Sequence, residues 1–220
     1  KQAADAIMKA KRPILYVGGG VVLSGASPEV KDLAELTQIP VDMTLMGLGA
    51  FPGNHPLSLG MLGMHGTYVA NMAMHYSDLV IAVGARFDDR VTGKVSEFCP
   101  DATIIHIDID PTSIRKNIQV DIPIVGDCKR VLTELNNILR ATVNGNQKEQ
   151  RKPWWDQLNA WRQAHPLRYD QDPDGQIKPQ FLIDRLYQLT SDRNPILATD
   201  VGQHQMWAAQ YFKLQNPQSW

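Results

Sequence analysis

Gly84-Ala85-Arg86-Phe87-Asp88-Asp89-Arg90 follows directly on the apolar run Leu79-Val80-Ile81-Ala82-Val83 and carries two guanidinium groups and two carboxylates within five residues. Arg86 and Arg90 can each fork two donors onto a phosphate or a carboxylate, while Asp88 and Asp89 can accept from hydroxyls or hold the arginines in place. A glycine turn at the end of a buried strand lets backbone amides approach a ligand closely. The same residues also suit a solvated loop closed by mutual salt bridges. Ligands bind beyond the carboxyl ends of strands in parallel sheets, and this position favours an anion grip.

Further candidates stand at similar places, each with a plain structural alternative. Gly18-Gly19-Gly20 after Ile14-Leu15-Tyr16-Val17 reads equally as a tight turn or a pyrophosphate contact, because Leu23 stands where GxGxxG needs its last glycine. Leu59-Gly60-Met61-Leu62-Gly63-Met64-His65-Gly66-Thr67 alternates glycine with soft side chains, which suits a flat aromatic ligand or a Met-packed core loop. His65, a lone histidine, reads as a hydrogen-bonded structural residue before it reads as a base. His106-Ile107-Asp108-Ile109-Asp110-Pro111 offers Asp108 to a ribose hydroxyl and Asp110 as a helix cap. Gly126-Asp127 repeats the strand, glycine, acid arrangement, and the pair of endings fits an adenosine or ribityl edge. Asp200-Val201-Gly202-Gln203-His204 is either a simple βα turn or a diphosphate site at a helix start.

The elements that must position these residues alternate as β and α. Strands are expected at residues 14–17, 40–44, 79–83, 103–108 and 122–127, and helices at residues 28–38, 67–75 and 128–140, with a short one after Pro111. Continuous apolar strands separated by helices imply an α/β fold, a parallel sheet of about five or six strands with helices on both faces. Residues 142–153 are polar and read as a linker. Trp154, Trp155, Leu158 and Trp161 then recur at helical spacing, as a connecting helix whose tryptophans are core rather than ligand platform. From Lys178 a new unit opens, with a helix over 179–189 and a strand over Pro195-Ile196-Leu197-Ala198-Thr199.

Composition narrows the partners. The 220 residues carry 22 basic and 23 acidic side chains with no concentrated basic run, which argues against a nucleic-acid track or an anionic membrane. No apolar stretch reaches the roughly 20 residues of a membrane span, and the start does not open a signal peptide. Two cysteines, Cys99 and Cys128, give no disulfide framework or metal spacing, so a reduced, cytoplasmic setting is expected, an organelle of a plant or fungus included. A helix already in progress at Lys1 and an irregular end at Trp220 read as a piece of a longer chain.

Six segments in order resemble the acetohydroxyacid synthase (acetolactate synthase) family: Val17-Gly18-Gly19-Gly20, Leu45-Met46-Gly47-Leu48-Gly49-Ala50-Phe51-Pro52, residues 59–67, residues 84–90, residues 106–111, and Asp200-Val201-Gly202-Gln203-His204-Gln205-Met206-Trp207. The resemblance covers essentially the whole chain. It implies a Rossmann-like central FAD-binding domain over 1–141, a linker and connecting helix over 142–177, and the truncated start of a thiamine-diphosphate-binding domain over 178–220. FAD would contact Gly18, Gly19, Gly20, Thr44, Leu45, Met46, Gly63, Met64, His65, Gly84, Ala85, Arg86, Asp88, Arg90, Asp108, Ile109 and Asp127. Val201, Gly202, Gln203 and His204 would meet thiamine diphosphate, and Gln205 the flavin side. Arg90 and Met64 would bind the second substrate.

The reaction so implied is decarboxylation of pyruvate and ligation to a second 2-ketoacid, pyruvate or 2-ketobutyrate, in valine, leucine and isoleucine synthesis. No catalytic residue and no Mg2+ ligand would lie in this chain, which alone would be inactive. A homo-oligomer, dimer or tetramer, with a small regulatory subunit is also implied. Two other readings compete: a non-catalytic nucleotide-binding module, which would not need Asp200 to Trp207, and a different thiamine enzyme such as glyoxylate carboligase or pyruvate oxidase, which the 64–66 and 86–90 loops disfavour.

Overall fold

A computed structural model describes residues 1–220. Six strands, β1 (Pro13–Val17), β2 (Val41–Met43), β3 (Ser58–Met61), β4 (Leu79–Val83), β5 (Thr103–Asp108) and β6 (Ile122–Val125), pair in parallel in the order β3-β2-β1-β4-β5-β6. The helices are α1 (Gln2–Lys9), α2 (Gly19–Leu23), α3 (Ser27–Thr37), α4 (Tyr68–Tyr76), α5 (Asp89–Thr92), α6 (Cys128–Arg140), α7 (Gln147–Ala164), α8 (Pro179–Thr190) and α9 (Gln203–Tyr211). The chain builds outward from β1 to β3, then returns beside β1 with β4. The strand order therefore reverses between β1 and β4, and the turns after these two strands stand at the switch point of the carboxyl edge.

Strand alternation divides the core. On one face Leu79, Ile81 and Val83 pack with Leu15, Val17, Ile105 and Ile107 under α1, α3 and α6, which contribute Ile7, Leu33 and Leu132. On the other, Val80 and Ala82 lie with Ile14 and Tyr16 under α4 and α7, through Val69, Ala73, Trp154 and Leu158. The second face carries polar groups. Tyr16 stands between Asp42 and Ala82 in the register, and Ala82 beside His106, so a tyrosine, a carboxyl and an imidazole share one row.

Four expectations change. The sheet gains β3, a short edge strand whose pairing with β2 slips in register between Val41 and Asp42. Helix α7 begins at Gln147, inside the expected linker, because glutamine, lysine, glutamate and arginine are strong helix formers whatever their polarity. Its tryptophans tie it down as expected: Trp154 Nε1 donates to the Pro13 carbonyl at 3.1 Å and Trp155 Nε1 to Gln38 at 2.9 Å. No helix follows Pro111; the Asp110 carboxylate instead collects the Thr112 amide at 2.9 Å and the Thr112 and Ser113 hydroxyls, closing a turn. Residues 195–199 form no strand, since no neighbouring strand pairs with them.

Candidate functional site at the carboxyl edge

The turns after β1 and β4 touch through their backbones. A Cβ on Gly18 would stand 2.2 Å from the Gly84 carbonyl oxygen, and one on Gly20 would stand 2.7 Å from the Gly84 Cα. The Gly20 amide donates to Gly84 O at 3.0 Å, and Gly84 adopts φ +56°. These glycines are required by the close approach of the two turns. Beside them Thr44 caps a short 3-10 turn through the Gly47 amide at 3.0 Å, which presents Met46 next to Gly19.

Residues 85–88 alternate like a strand. Ala85 and Phe87 are buried, whereas Arg86 and Asp88 face solvent. Arg86 lies 3.5 Å from Asp88 and Arg90 3.9 Å from Asp89, loose exposed pairs that leave both guanidiniums able to take another anion. The loop after β3 crosses to meet this one: the Met64 amide donates to the Arg90 carbonyl at 2.9 Å, and Gly63, at φ +104°, is pinned by Asn71, whose side chain bonds its N–H and C=O at 3.0 Å each. Arg90 and Met64 are thereby neighbours.

At the other end of the edge, Asp108 and Asp127 have structural partners. Asp108 Oδ1 accepts from the Asp110 amide at 2.9 Å, Gly126 N–H donates to the Asp108 carbonyl, and Asp127 caps α6 through Arg130 N. Ile109 projects beside them, 69% exposed. The apolar side chains at this edge share that behaviour: Met46 is 64% and Met64 65% exposed, so these methionines fill no core. His65 is exposed too, and its imidazole makes no hydrogen bond, against the structural role expected for it.

At the chain's far end, the turn at 200–204 leads into α9. Gly202 precedes α9, Gln205 bonds Thr199 Oγ1, and Val201 is 85% exposed, with Gln203 and His204 also outward. From α9, Gln210 Nε2 donates to the His65 carbonyl at 2.8 Å, which sets this helix against the Met64 loop. Asn71, Gln210 and His106, which bonds the Ala85 carbonyl at 2.9 Å, are supports that motif reading passed over. Only Asn71 left a trace, a lone amide in an otherwise apolar helix stripe.

Electrostatics separate surface from floor. Under the edge, Asp42 is fully buried and neither carboxylate oxygen has a partner, so burial holds its pKa well above the ordinary range. Burial also pushes the Tyr16 hydroxyl up, and the Cys128 thiol to about 11. For His106 burial is the dominant cause and lowers the pKa, outweighing the Ala85 carbonyl and Asp108. No helix is long and apolar enough to cross a membrane.

Residues 1–135 match the family described as thiamine pyrophosphate enzyme, central domain. Over all 220 residues the chain is 49% identical to the acetolactate synthase large subunit of Buchnera aphidicola subsp. Schlechtendalia chinensis, covering 38% of that protein. It is 46% identical to the acetolactate synthase isozyme 3 large subunit of Escherichia coli, again over 38% of its length, and 48% identical to the acetolactate synthase of Mycobacterium bovis, over 35%. The chain thus spans under two fifths of these relatives.

Proposed function

Because the chain belongs to the thiamine pyrophosphate enzyme family, with residues 1–135 matching its central domain, we propose that it is the FAD-binding middle of an acetolactate synthase large subunit, residues 1–141, joined by residues 142–177 to the opening of the diphosphate-binding domain at 178–220. The observation that carries the reading is the combination at the carboxyl edge of exposed Met46, Met64 and Ile109 with two loosely paired arginines. A flavin nucleotide needs both: apolar surface for its ring and cations for its diphosphate.

The residues present fit FAD. Gly19 leaves its space to Met46, whose Cβ lies 3.2 Å from the place a Gly19 Cβ would take, and Arg86, Asp88 and Asp108 follow or end the strands β4 and β5 on the same carboxyl edge. In this reading FAD supplies a flat ring and a diphosphate and is not consumed. Thiamine diphosphate, when bound, supplies the carbon centre on which a 2-ketoacid loses carbon dioxide. The chain's own part is placement. Arg90 grips the carboxylate of the acceptor 2-ketoacid, pyruvate or 2-ketobutyrate, and Met64 beside it keeps water off the acceptor carbonyl. Val201 to His204 meet the diphosphate side and Gln205 the flavin side. Mg2+ ligands and the catalytic acid of the reaction would come from outside this chain, which alone forms no acetolactate. Relatives named as large subunits support a small regulatory partner, and we include a homo-oligomer in the proposal.

The test is product identification from pyruvate, with a visible absorption spectrum, on the full-length protein that carries this chain. Acetolactate with bound flavin supports the reading; a nicotinamide requirement, or turnover by the 220-residue chain alone, overturns it. Arg90→Ala should abolish ligation, about a hundredfold or more in kcat/KM, with flavin retained. Flavin loss instead would reassign Arg90 to the cofactor.

A further inference from the structure

Beneath the arginine loop lies a histidine that the proposed chemistry does not use. His106 is in the middle of β5, fully buried, opposite Ala82 on β4 and Pro123 on β6. Its Nε2 lies 2.9 Å from the Ala85 carbonyl, and the Phe87 ring packs edge-on against it at 5.2 Å with an interplanar angle of 84°. Both inward residues of the loop therefore rest on one imidazole. Burial disfavours the imidazolium, and a carbonyl oxygen only accepts, so the ring is neutral with its hydrogen on Nε2. The facing groups are few: Asp108 Oδ2 stands 3.8 Å from Nε2, and Nδ1 has no partner. Two other supports bear on Phe87, whose carbonyl accepts from Asn117 Nδ2 at 2.6 Å and whose ring lies 5.4 Å from that of Tyr16.

Alternation then transmits the anchor outward. With Ala85 and Phe87 held below, Arg86 and Asp88 have no choice of face, and Arg90 follows one short turn later, where its carbonyl is tied to Met64. We propose that His106 is the positioning residue of this loop: its Nε2–H holds the Ala85 carbonyl and its ring seats Phe87, which sets where Arg86 and Arg90 meet an anionic cofactor and an acceptor carboxylate. The consequence for ligands rests on the function proposed above; the anchoring itself does not.

Two readouts separate these layers. In the full-length, FAD-loaded protein, His106→Leu removes the donor, whereas His106→Gln keeps an N–H able to reach Ala85. Cleavage by trypsin after Arg86 and Arg90 reports the loop without reference to chemistry. His106→Leu should speed it about tenfold or more at an unchanged melting profile of the sheet, and His106→Gln should return most of the protection. The acceptor KM should rise about ten- to hundredfold in His106→Leu, with smaller change in kcat, as misplacement of a binding group by an ångström does. Should His106→Leu not fold, Phe87→Leu serves, with the same direction and a smaller effect. Unchanged cleavage, or glutamine no better than leucine, overturns the proposal. Altered cleavage in a protein that holds no flavin and makes no acetolactate would sustain the anchor and sink the proposed function instead.

Discussion

Leu79–Val83 and Pro195–Thr199 are both largely apolar runs, each ahead of a glycine turn, and they end in opposite environments. The first is β4, buried at every residue and paired with β1 and β5. The second has no ladder partner, with Ile196 81% exposed; its one backbone tie outside the local chain is the Leu197 amide on the Ser219 carbonyl. An apolar run supplies the option of a strand, and neighbours on both sides realise it. The helices repeat the contrast: α6 buries Leu132, Leu135 and Leu139, while α8 buries no residue.

The turns after the two runs give the widest separation. Gly18→Ala would drive a methyl to 2.2 Å from the Gly84 carbonyl and 2.6 Å from the Ala85 Cα, both rigid backbone. It should cost at least about 4 kcal/mol, read as loss of the cooperative urea transition. Gly202→Ala meets only the His204 ring at 3.0 Å, a side chain free to turn, and should stay within about 0.5 kcal/mol. Equal costs would erase the distinction between the regions.

Within the runs, Ile81→Ala should destabilise by about 3 kcal/mol, because it opens a cavity where no residue is exposed. Ile196→Ala should change the urea midpoint by less than about 0.5 kcal/mol. A large effect at Ile196 would show a partner for that segment.

The same contrast sorts what the amino-acid pattern shows. Strand β4 is legible because burial on both faces leaves an uninterrupted apolar run, β1, β5 and β6 because apolar residues make up at least half of each, and α3, α4 and α6 because their inner stripes recur at helical spacing. β3 is hidden by Ser58 and Gly60, which break the apolar run at an edge that needs less of it. The start of α7 is hidden by polarity. At the site, the residues proposed to face a ligand are legible because arginine, glycine and acid types stand at strand ends. Their supports are not, since His106 and Ala85, Asn117 and Phe87, and Gln210 and His65 are 21, 30 and 145 residues apart, and only the fold joins them.

Asp42 is the place where the well-packed region carries a defect. Its carboxyl lies in the sheet with no partner on either oxygen, so Asp42→Val should stabilise by about 1–3 kcal/mol at neutral pH. The sign with pH follows from a raised folded pKa. Below the ordinary value of 3.8 both folded and unfolded chains hold the proton and no penalty arises. As pH rises past it, the unfolded chain ionises while the folded one does not, so wild-type stability falls until the buried carboxyl itself ionises. The advantage of Asp42→Val in thermal melts should grow from pH 4 to pH 8. A constant advantage would mean that the folded and unfolded chains share one Asp42 pKa and that burial does not raise it.

The smallest effect is expected on α8, where Leu182, Leu186 and Leu189 are 58%, 40% and 57% exposed along one stripe. Leu186→Ala removes little buried area from this chain and should cost under about 1 kcal/mol. In the full-length protein the proposed diphosphate-binding domain would continue past this helix, and an apolar stripe is what a helix offers to a sheet that covers it. The same substitution there should cost about 2 kcal/mol or more, measured as the shift in the melt of that domain. Equal small costs in both settings would leave the stripe solvent-facing and remove residues 178–220 from the proposed domain. Unequal costs would make α8 an element like α6, one whose sheet is supplied by sequence outside these 220 residues.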